Sequence, residues 1–163
     1  MTGRPMEAAG QAEEGRSLLL DVLAANIAVN AIAAEDRARR TGLQPPLGLQ
    51  EVIQHLGAGG KVKPALVVEG EKAWEAARRL CGERYFCFTW HGAVEKSDWL
   101  VLDGFPAFYI WTDNNPAGRA AAKKIAKILK TYQSAKVFIV NPPEKAGAGW
   151  NLADAEAEGL TVL

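Results

Sequence analysis

The residues in this sequence best suited to chemistry are acidic, and they follow short apolar runs. Glu69 and Glu71 come directly after the run ALVV, Ala65–Val68, with Gly70 between them. An apolar run, a glycine and then the helical sequence AWEAARRL predict a strand, a tight turn and a helix. Ligands of parallel α/β sheets bind outside the carboxyl ends of the strands, so both glutamates are expected at a functional edge. For two glutamates taken alone, a solvated helix start favoured by the helix dipole is an equally good interpretation.

A second apolar run also ends at an acidic residue. The segment PAFYIWTD, residues 106–113, is apolar until it reaches Asp113, and a breaker follows. If this strand neighbours the first, the carboxylates of Glu69 and Asp113 converge. Converging carboxylate oxygens are what Mg²⁺ uses when it keeps several waters and bridges to phosphate.

The elements that must position these carboxylates alternate along the chain. Apolar runs predict strands at residues 65–68, 85–90, 106–113 and 136–140, and helical sequences separate them. This alternation predicts an α/β fold with a parallel sheet, right-handed crossovers and three layers. Residues 1–16 read as a disordered leader, residues 17–42 as an N-terminal helix capped by Ser17, and residues 43–163 as the domain.

Three sequence blocks resemble the signature of the TOPRIM domain, the topoisomerase-primase module. They are VVEGE at 67–71, IWTDNNPAG at 110–118 and GWNLADA at 149–155. The chain is most similar to the TOPRIM domains of primase-helicase proteins of phages, plasmids and mobile elements. The resemblance covers residue 47 to the C-terminus and implies a sheet of order 2-1-3-4. It also implies that Glu69 is a general acid or base in phosphodiester chemistry and that Asp113 holds Mg²⁺ or Mn²⁺.

This chain departs from the TOPRIM pattern at two acidic positions. Asn115 stands at the second position of the DxD block, and Asn151 stands where relatives usually carry aspartate, whereas Asp154 is kept. An amide oxygen ligates a hard cation without bringing charge, and affinity for such cations depends on the charge of the ligands. The predicted metal ligands are therefore Asp113, Asn115, Asp154 and the nearby Glu71, with weakened binding.

Basic residues cluster on one predicted helix. Arg119, Lys123, Lys127 and Lys130 recur at helical spacing and predict one cationic face of a helix whose N-terminus points at the acidic edge. Single-stranded nucleic acid or a primer-template could follow such a face, with Lys72 and Lys145 reaching phosphates at the same edge. Without the family resemblance, a solvated cationic face is the preferred interpretation. Trp90, beside a histidine and a glycine, is the candidate for an exposed ring.

Composition excludes several function classes. The 163 residues carry a net charge of +0, which argues against wrapping nucleic acid by bulk charge. Two cysteines, and histidines outside metal-binding spacing with them, predict no disulfide framework and no zinc site. The sequence shows no secretory signal, and we expect no apolar run of the roughly 20 residues that cross a membrane. These features favour a cytoplasmic protein.

Three functions are compatible with the sequence. The first is Mg²⁺-dependent phosphodiester chemistry, of primase-type nucleotidyltransferase or nuclease kind, in a replication protein. The second is a degenerate TOPRIM module that binds nucleic acid or a replication partner, such as a helicase, without catalysis. The third, a nucleotide-binding protein, is disfavoured because no glycine-rich phosphate loop follows the first strand.

Overall fold

The computed structural model describes residues 5–131 and 136–161. Their helices are α1 (Pro5–Thr41), α2 (Leu49–Gly57), α3 (Glu71–Cys81), α4 (Pro116–Leu129) and α5 (Leu152–Ala157). Their strands are β1 (Ala65–Val68), β2 (Phe86–Phe88), β3 (Ala107–Trp111) and β4 (Lys136–Ile139), and two 3₁₀ turns, Val94–Lys96 and Trp99–Leu102, join β2 to β3. Strands therefore alternate with helices as the apolar runs predict.

The four strands form one parallel sheet of order β2-β1-β3-β4. Val67 in β1 is opposite Phe88 in β2 and Ile110 in β3, so the central strands end at the same level. This confirms the predicted order 2-1-3-4. It also makes β1 and β3 neighbours, as convergence of Glu69 and Asp113 requires.

Helices cover both faces of the sheet, because alternate residues of each buried strand point to opposite sides. Ala65 and Val67 belong to the larger core, with buried residues of α1, α2 and α4. Leu66 and Val68 belong to a smaller core, with buried residues of α3 and α5. The predicted three-layer α/β fold is confirmed.

The N-terminal helix begins earlier than predicted. It starts at Pro5 rather than near Ser17 and continues unbroken to Thr41, so it includes most of the segment expected to be a disordered leader. The added part contains three Ala and three Glu, which have high helix propensity, and Pro is well tolerated in a first turn. Residues 1–4 of the predicted leader lie outside the described residues.

The second half of α1 is attached to the domain. Ile27, Ala31 and Ala34 are buried in the larger core. Nε of Arg37 donates to Oδ2 of Asp98 at 2.8 Å, and the two side chains are only 15% and 4% exposed. The helix therefore packs on the domain as part of its core.

One stretch of α1 corrects an expectation about membranes. Within the described residues, Glu13–Thr41 is long and apolar enough to cross a membrane by length and composition. The expectation that no run reaches that length was wrong, because alanines and branched residues together make the helix more apolar than any short run suggests. A single such helix near the N-terminus, with one face packed on a domain, is weak evidence for a span.

Candidate functional site at the carboxyl edge of the sheet

Glu69 and Asp113 meet at the carboxyl ends of β1 and β3. Oε2 of Glu69 accepts a hydrogen bond from the backbone N–H of Asp113 at 2.9 Å. The contact spans 44 residues of sequence and follows from the pairing of β1 with β3. The structure thus brings together the predicted general acid or base and the first predicted metal ligand.

A glycine makes this approach sterically feasible. A Cβ at Gly118, in the first turn of α4, would collide with the carbonyl oxygen of Asp113 and lie 3.0 Å from Oε2 of Glu69. Only glycine lets α4 start this close to both acidic residues. Sequence reasoning missed Gly118, although a glycine in the first turn of an otherwise alanine-rich helix was a usable signal.

Burial raises the pKa of the Glu69 carboxyl above its ordinary value, and the nearby charge of Asp113 adds to that shift. The hydrogen bond from the Asp113 backbone opposes the shift. A carboxyl that holds its proton to higher pH suits a general acid or base.

The side-chain oxygens of the two asparagines at this edge accept hydrogen bonds from backbone N–H groups. Oδ1 of Asn115 caps α4 by accepting from the N–H of Gly118 at 2.7 Å. Oδ1 of Asn151 accepts from the N–H groups of Ala153 at 2.9 Å and Asp154 at 3.4 Å, at the start of α5. Both amide oxygens therefore serve as helix caps.

The amide nitrogen of Asn151 faces the acidic pair. Because its oxygen accepts the backbone N–H groups of α5, its Nδ2 points the other way and donates to Oδ1 of Asp113 at 2.9 Å. A neutral donor thus contacts the carboxylate that the resemblance assigns to a metal ion.

The remaining predicted ligands do not complete a cation site. Oδ2 of Asp154 accepts from the backbone N–H of Asn151 at 2.9 Å, which closes a capping box at α5. Glu71 is exposed, with Oε1 3.9 Å from Nδ1 of His91. Among the described residues, no group of three His, Cys, Asp or Glu side chains is arranged to hold a metal ion. The donor set does not fit a resident divalent cation, which prefers several free oxygen ligands.

The predicted basic face of α4 is exposed. Arg119, Lys123, Lys127 and Lys130 all lie at the surface. Nη1 of Arg119 donates to Oδ1 of Asn114 at 3.2 Å, which holds the guanidinium near the acidic edge. Lys72 and Lys145 are exposed as well.

A cavity of about 260 Å³ opens between this basic face and the end of β4. Arg119 and Lys123 line one side of it, and Asn141 follows β4 on another. Its remaining walls are residues of the β3 and β4 ends and of α4, namely Thr112, Asp113, Asn114, Ala122, Ile139, Val140 and Pro142. Sequence reasoning missed the cavity, because it depends on where β4 ends relative to α4.

Asn114 was also missed. Its Nδ2 donates to the carbonyl oxygens of Ala146 at 3.2 Å and Gly147 at 3.0 Å, so it ties the loop before α5 to the end of β3. The doubled asparagine of the sequence TDNNPAG was the only available signal.

Four of the five tryptophans pack against one another in two pairs. Trp111 and Trp150 stack with ring centroids 5.7 Å apart. Trp90 is only 8% exposed and packs on Trp99 at 6.0 Å, so the expectation of an exposed Trp90 ring was wrong. Trp90 and Trp99 both belong to the larger core, where their rings lie against each other.

Among known proteins, similarity to this chain is found at the level of solved structures. No protein-family model matches the chain, and no curated protein matches it in sequence. Among solved structures, it is similar to the primase fragment of the bacteriophage T7 primase-helicase protein, at 22% identity and a TM-score of 0.48. The match covers 60% of this chain and 40% of that chain. A similarity of this size decides neither family nor function.

Proposed function

We propose that this chain is a TOPRIM-type module of a replication protein that binds single-stranded nucleic acid at the carboxyl edge of its sheet, without a resident catalytic cation. The observation that carries the proposal is the hydrogen bond from Nδ2 of Asn151 to Oδ1 of Asp113. An N–H donor satisfies this carboxylate without a metal ion, and a cation would have to displace a group that also caps α5.

The basic face of α4 supplies the binding surface in this proposal. Arg119, Lys123, Lys127 and Lys130 are exposed, and phosphates are attracted to such cations and to a helix N-terminus. The cavity beside Lys123 has apolar walls and polar groups suited to one nucleobase of a strand whose phosphates follow α4. We also propose that a helicase or another replication protein is the physiological partner, by analogy with the family that the sequence blocks resemble.

Binding of a fluorescent single-stranded DNA, followed by anisotropy over a salt series, tests the proposal. The double variant Lys123→Gln, Lys127→Gln is expected to bind more weakly and to lower the slope of log affinity against log salt by about 0.7 for each lost phosphate contact. Lys124→Gln is the matched control, because Nζ of Lys124 is already bonded to Oε1 of Glu95 at 2.6 Å. Equal losses in both proteins, or no binding by the wild type, would reject the basic face of α4 as the binding surface.

A second candidate is Mg²⁺- or Mn²⁺-dependent phosphodiester chemistry. The raised pKa of Glu69 favours it, because a carboxyl that holds its proton more tightly than usual is better suited to exchange a proton with a reacting oxygen. One or two carboxylates hold Mg²⁺ when substrate phosphates supply further ligands, so this cation would arrive with the nucleic acid. Nuclease and primer-synthesis assays with either metal separate the candidates. Activity that is lost in Glu69→Gln supports the second, and inactivity of the wild type supports the first.

A further inference from the structure

The outer face of α1 carries an apolar stripe with a regular spacing. Leu18, Val22, Ala25, Val29 and Ile32 follow one another at intervals of four and three residues, and we call this stripe the seam. The four large members are 65%, 49%, 64% and 73% exposed in chain order. Intervals that alternate between three and four are the heptad spacing of helices that pair side by side.

The seam faces away from the domain. Ile27, Ala31 and Ala34 bury the opposite side of α1, and Ile27 lies roughly 200° around the helix from Val29 at 3.6 residues per turn. A second helix can therefore lie along the outer side of α1, next to α2 where the seam passes Ala25 and Ile32. A groove of about 330 Å³ extends the apolar surface from Ile32 towards Ile53 and Leu56 of α2.

We propose that the seam is a dimer interface, and that its occupant is the same seam of a second copy of this chain in parallel orientation. In heptad terms Val22 and Val29 occupy a positions, and Leu18, Ala25 and Ile32 occupy d positions. Valine at both a positions, with leucine at the first d position, favours two parallel strands. The opposed a and d side chains are then identical pairs, which is how a two-fold symmetric interface is built.

Charges flanking the seam favour the same arrangement. Glu35 occupies a g position and Arg40 the e position five residues later, which face each other across a parallel pair. Within one chain they bond instead to Arg39 at 2.9 Å and Asp36 at 3.1 Å, and these exposed pairs exchange partners at little cost. Asp36 takes the next a position and so ends the apolar seam near the end of the helix.

Helix α1 is held in place on its own domain before it pairs. In an isolated peptide, forming the first helical turn is unfavourable, and the contacts along a short apolar stripe seldom offset that free-energy cost. Here Arg37 is bonded to Asp98, and Nδ2 of Asn30 donates to the carbonyl oxygen of Asp103 at 3.1 Å. These contacts hold the second half of α1 before a partner arrives, so two heptads suffice.

A membrane surface fits the seam less well than a second copy. Helices that lie on membranes are rich in Lys and Arg on the polar face. Between Arg16 and Arg37 this chain has neither residue, and its polar residues next to the seam are Asp21, Asn26 and Glu35.

Sedimentation equilibrium of the full chain tests the proposal, with Val29→Glu as the disrupting variant. Val29 is exposed, so the variant keeps the packing of α1 on the domain, which circular dichroism verifies. Two glutamates facing each other in the seam are expected to raise the dimer dissociation constant by at least about a hundredfold. Leu160→Glu, which replaces an exposed apolar side chain outside α1, is the control and is expected to dimerise like the wild type.

Orientation is tested by cysteine cross-linking. Ile32→Cys is expected to form a disulfide with its own copy under mild oxidation, because d residues face each other only in a parallel pair. The native thiols of Cys81 and Cys87 are buried, so a cysteine-free background is not required. Failure of this cross-link in a dimer that Val29→Glu disrupts overturns the parallel arrangement.

Three results overturn the interface itself. The first is a wild type that stays monomeric at millimolar concentration. The second is a dimer that Val29→Glu leaves intact. The third is a monomer that floats with vesicles of phosphatidylcholine and phosphatidylglycerol only when Val29 is present, which would assign the seam to a membrane surface.

Discussion

Replacing Asn151 with aspartate is expected to convert the acidic edge into a cation site. Asn151→Asp keeps the cap of α5, because Asp and Asn are equally good N-caps. It exchanges the N–H donor on Asp113 for a second carboxylate at the same place, where Nδ2 now lies 2.9 Å from Oδ1 of Asp113. With Glu69 beside them, three carboxylates then share the edge.

The size of the effect follows from the geometry. Two unit charges about 4 Å apart repel by about 4 kcal/mol at an effective dielectric constant of 20. Both side chains are partly exposed, so solvent and salt reduce the cost to about 2 kcal/mol. For a chain of this length that loss lowers Tm by about 4–8 °C. A cation that binds the folded variant with a Kd of about 1 mM raises its free energy of unfolding by about 1.4 kcal/mol at a cation concentration of about 10 mM.

Differential scanning calorimetry in EDTA and in 10 mM MgCl₂ measures these changes. Asn151→Asp is expected to melt below the wild type in EDTA and to regain most of the difference in Mg²⁺. Asn151→Ser is the matched control, because serine caps the helix without adding charge, and it is expected to be insensitive to Mg²⁺. The reasoning is refuted if the wild type gains as much from Mg²⁺ as Asn151→Asp, or if the aspartate and serine variants respond alike.

Three further predictions concern stability, and urea denaturation measures each. Glu69→Gln keeps the oxygen acceptor and removes a carboxyl whose pKa burial raises, so the folded wild type loses stability as pH rises from 4.5 through the raised pKa. The variant should gain stability relative to the wild type between pH 4 and pH 7, and an equal difference at both pH values contradicts this. Arg37→Met strands the buried carboxylate of Asp98 and should cost about 3 kcal/mol, whereas Arg39→Met, at an exposed pair, should cost less than about 1 kcal/mol. Similar losses in the two variants count against an anchoring role for Arg37. Gly118→Ala forces a Cβ against backbone and should cost about 1–3 kcal/mol, so wild-type stability in that variant would show that the edge is loosely packed.

The sequence was sufficient for the sheet and for the acidic pair. Ala65–Val68 and the run before Asp113 are apolar segments closed by an acidic residue, and parallel strands end at a common edge. Once β1 and β3 are neighbours, Glu69 and Asp113 meet. The strand order itself came from the resemblance, because periodicity alone does not rank neighbours in a sheet.

The sequence could not predict which way individual side chains point. Asn151 and Asp113 lie 38 residues apart, and their bond depends on how α5 docks after its cap forms. The spacing of Asn151 and Asp154 does predict a capping box, but not which way the amide nitrogen points. Trp90 looked exposed beside polar residues, yet burial against Trp99 depends on the path of the intervening loop.

Metal dependence of nucleic-acid binding tests the central claim most directly. Wild-type affinity for a single-stranded DNA is measured in EDTA and in excess MgCl₂, with ionic strength held constant by NaCl. We expect saturable binding in EDTA, with an affinity that Mg²⁺ does not increase. Binding that appears only with Mg²⁺, and that Glu69→Gln or Asp113→Asn abolishes, would contradict it and assign the edge to metal-dependent chemistry.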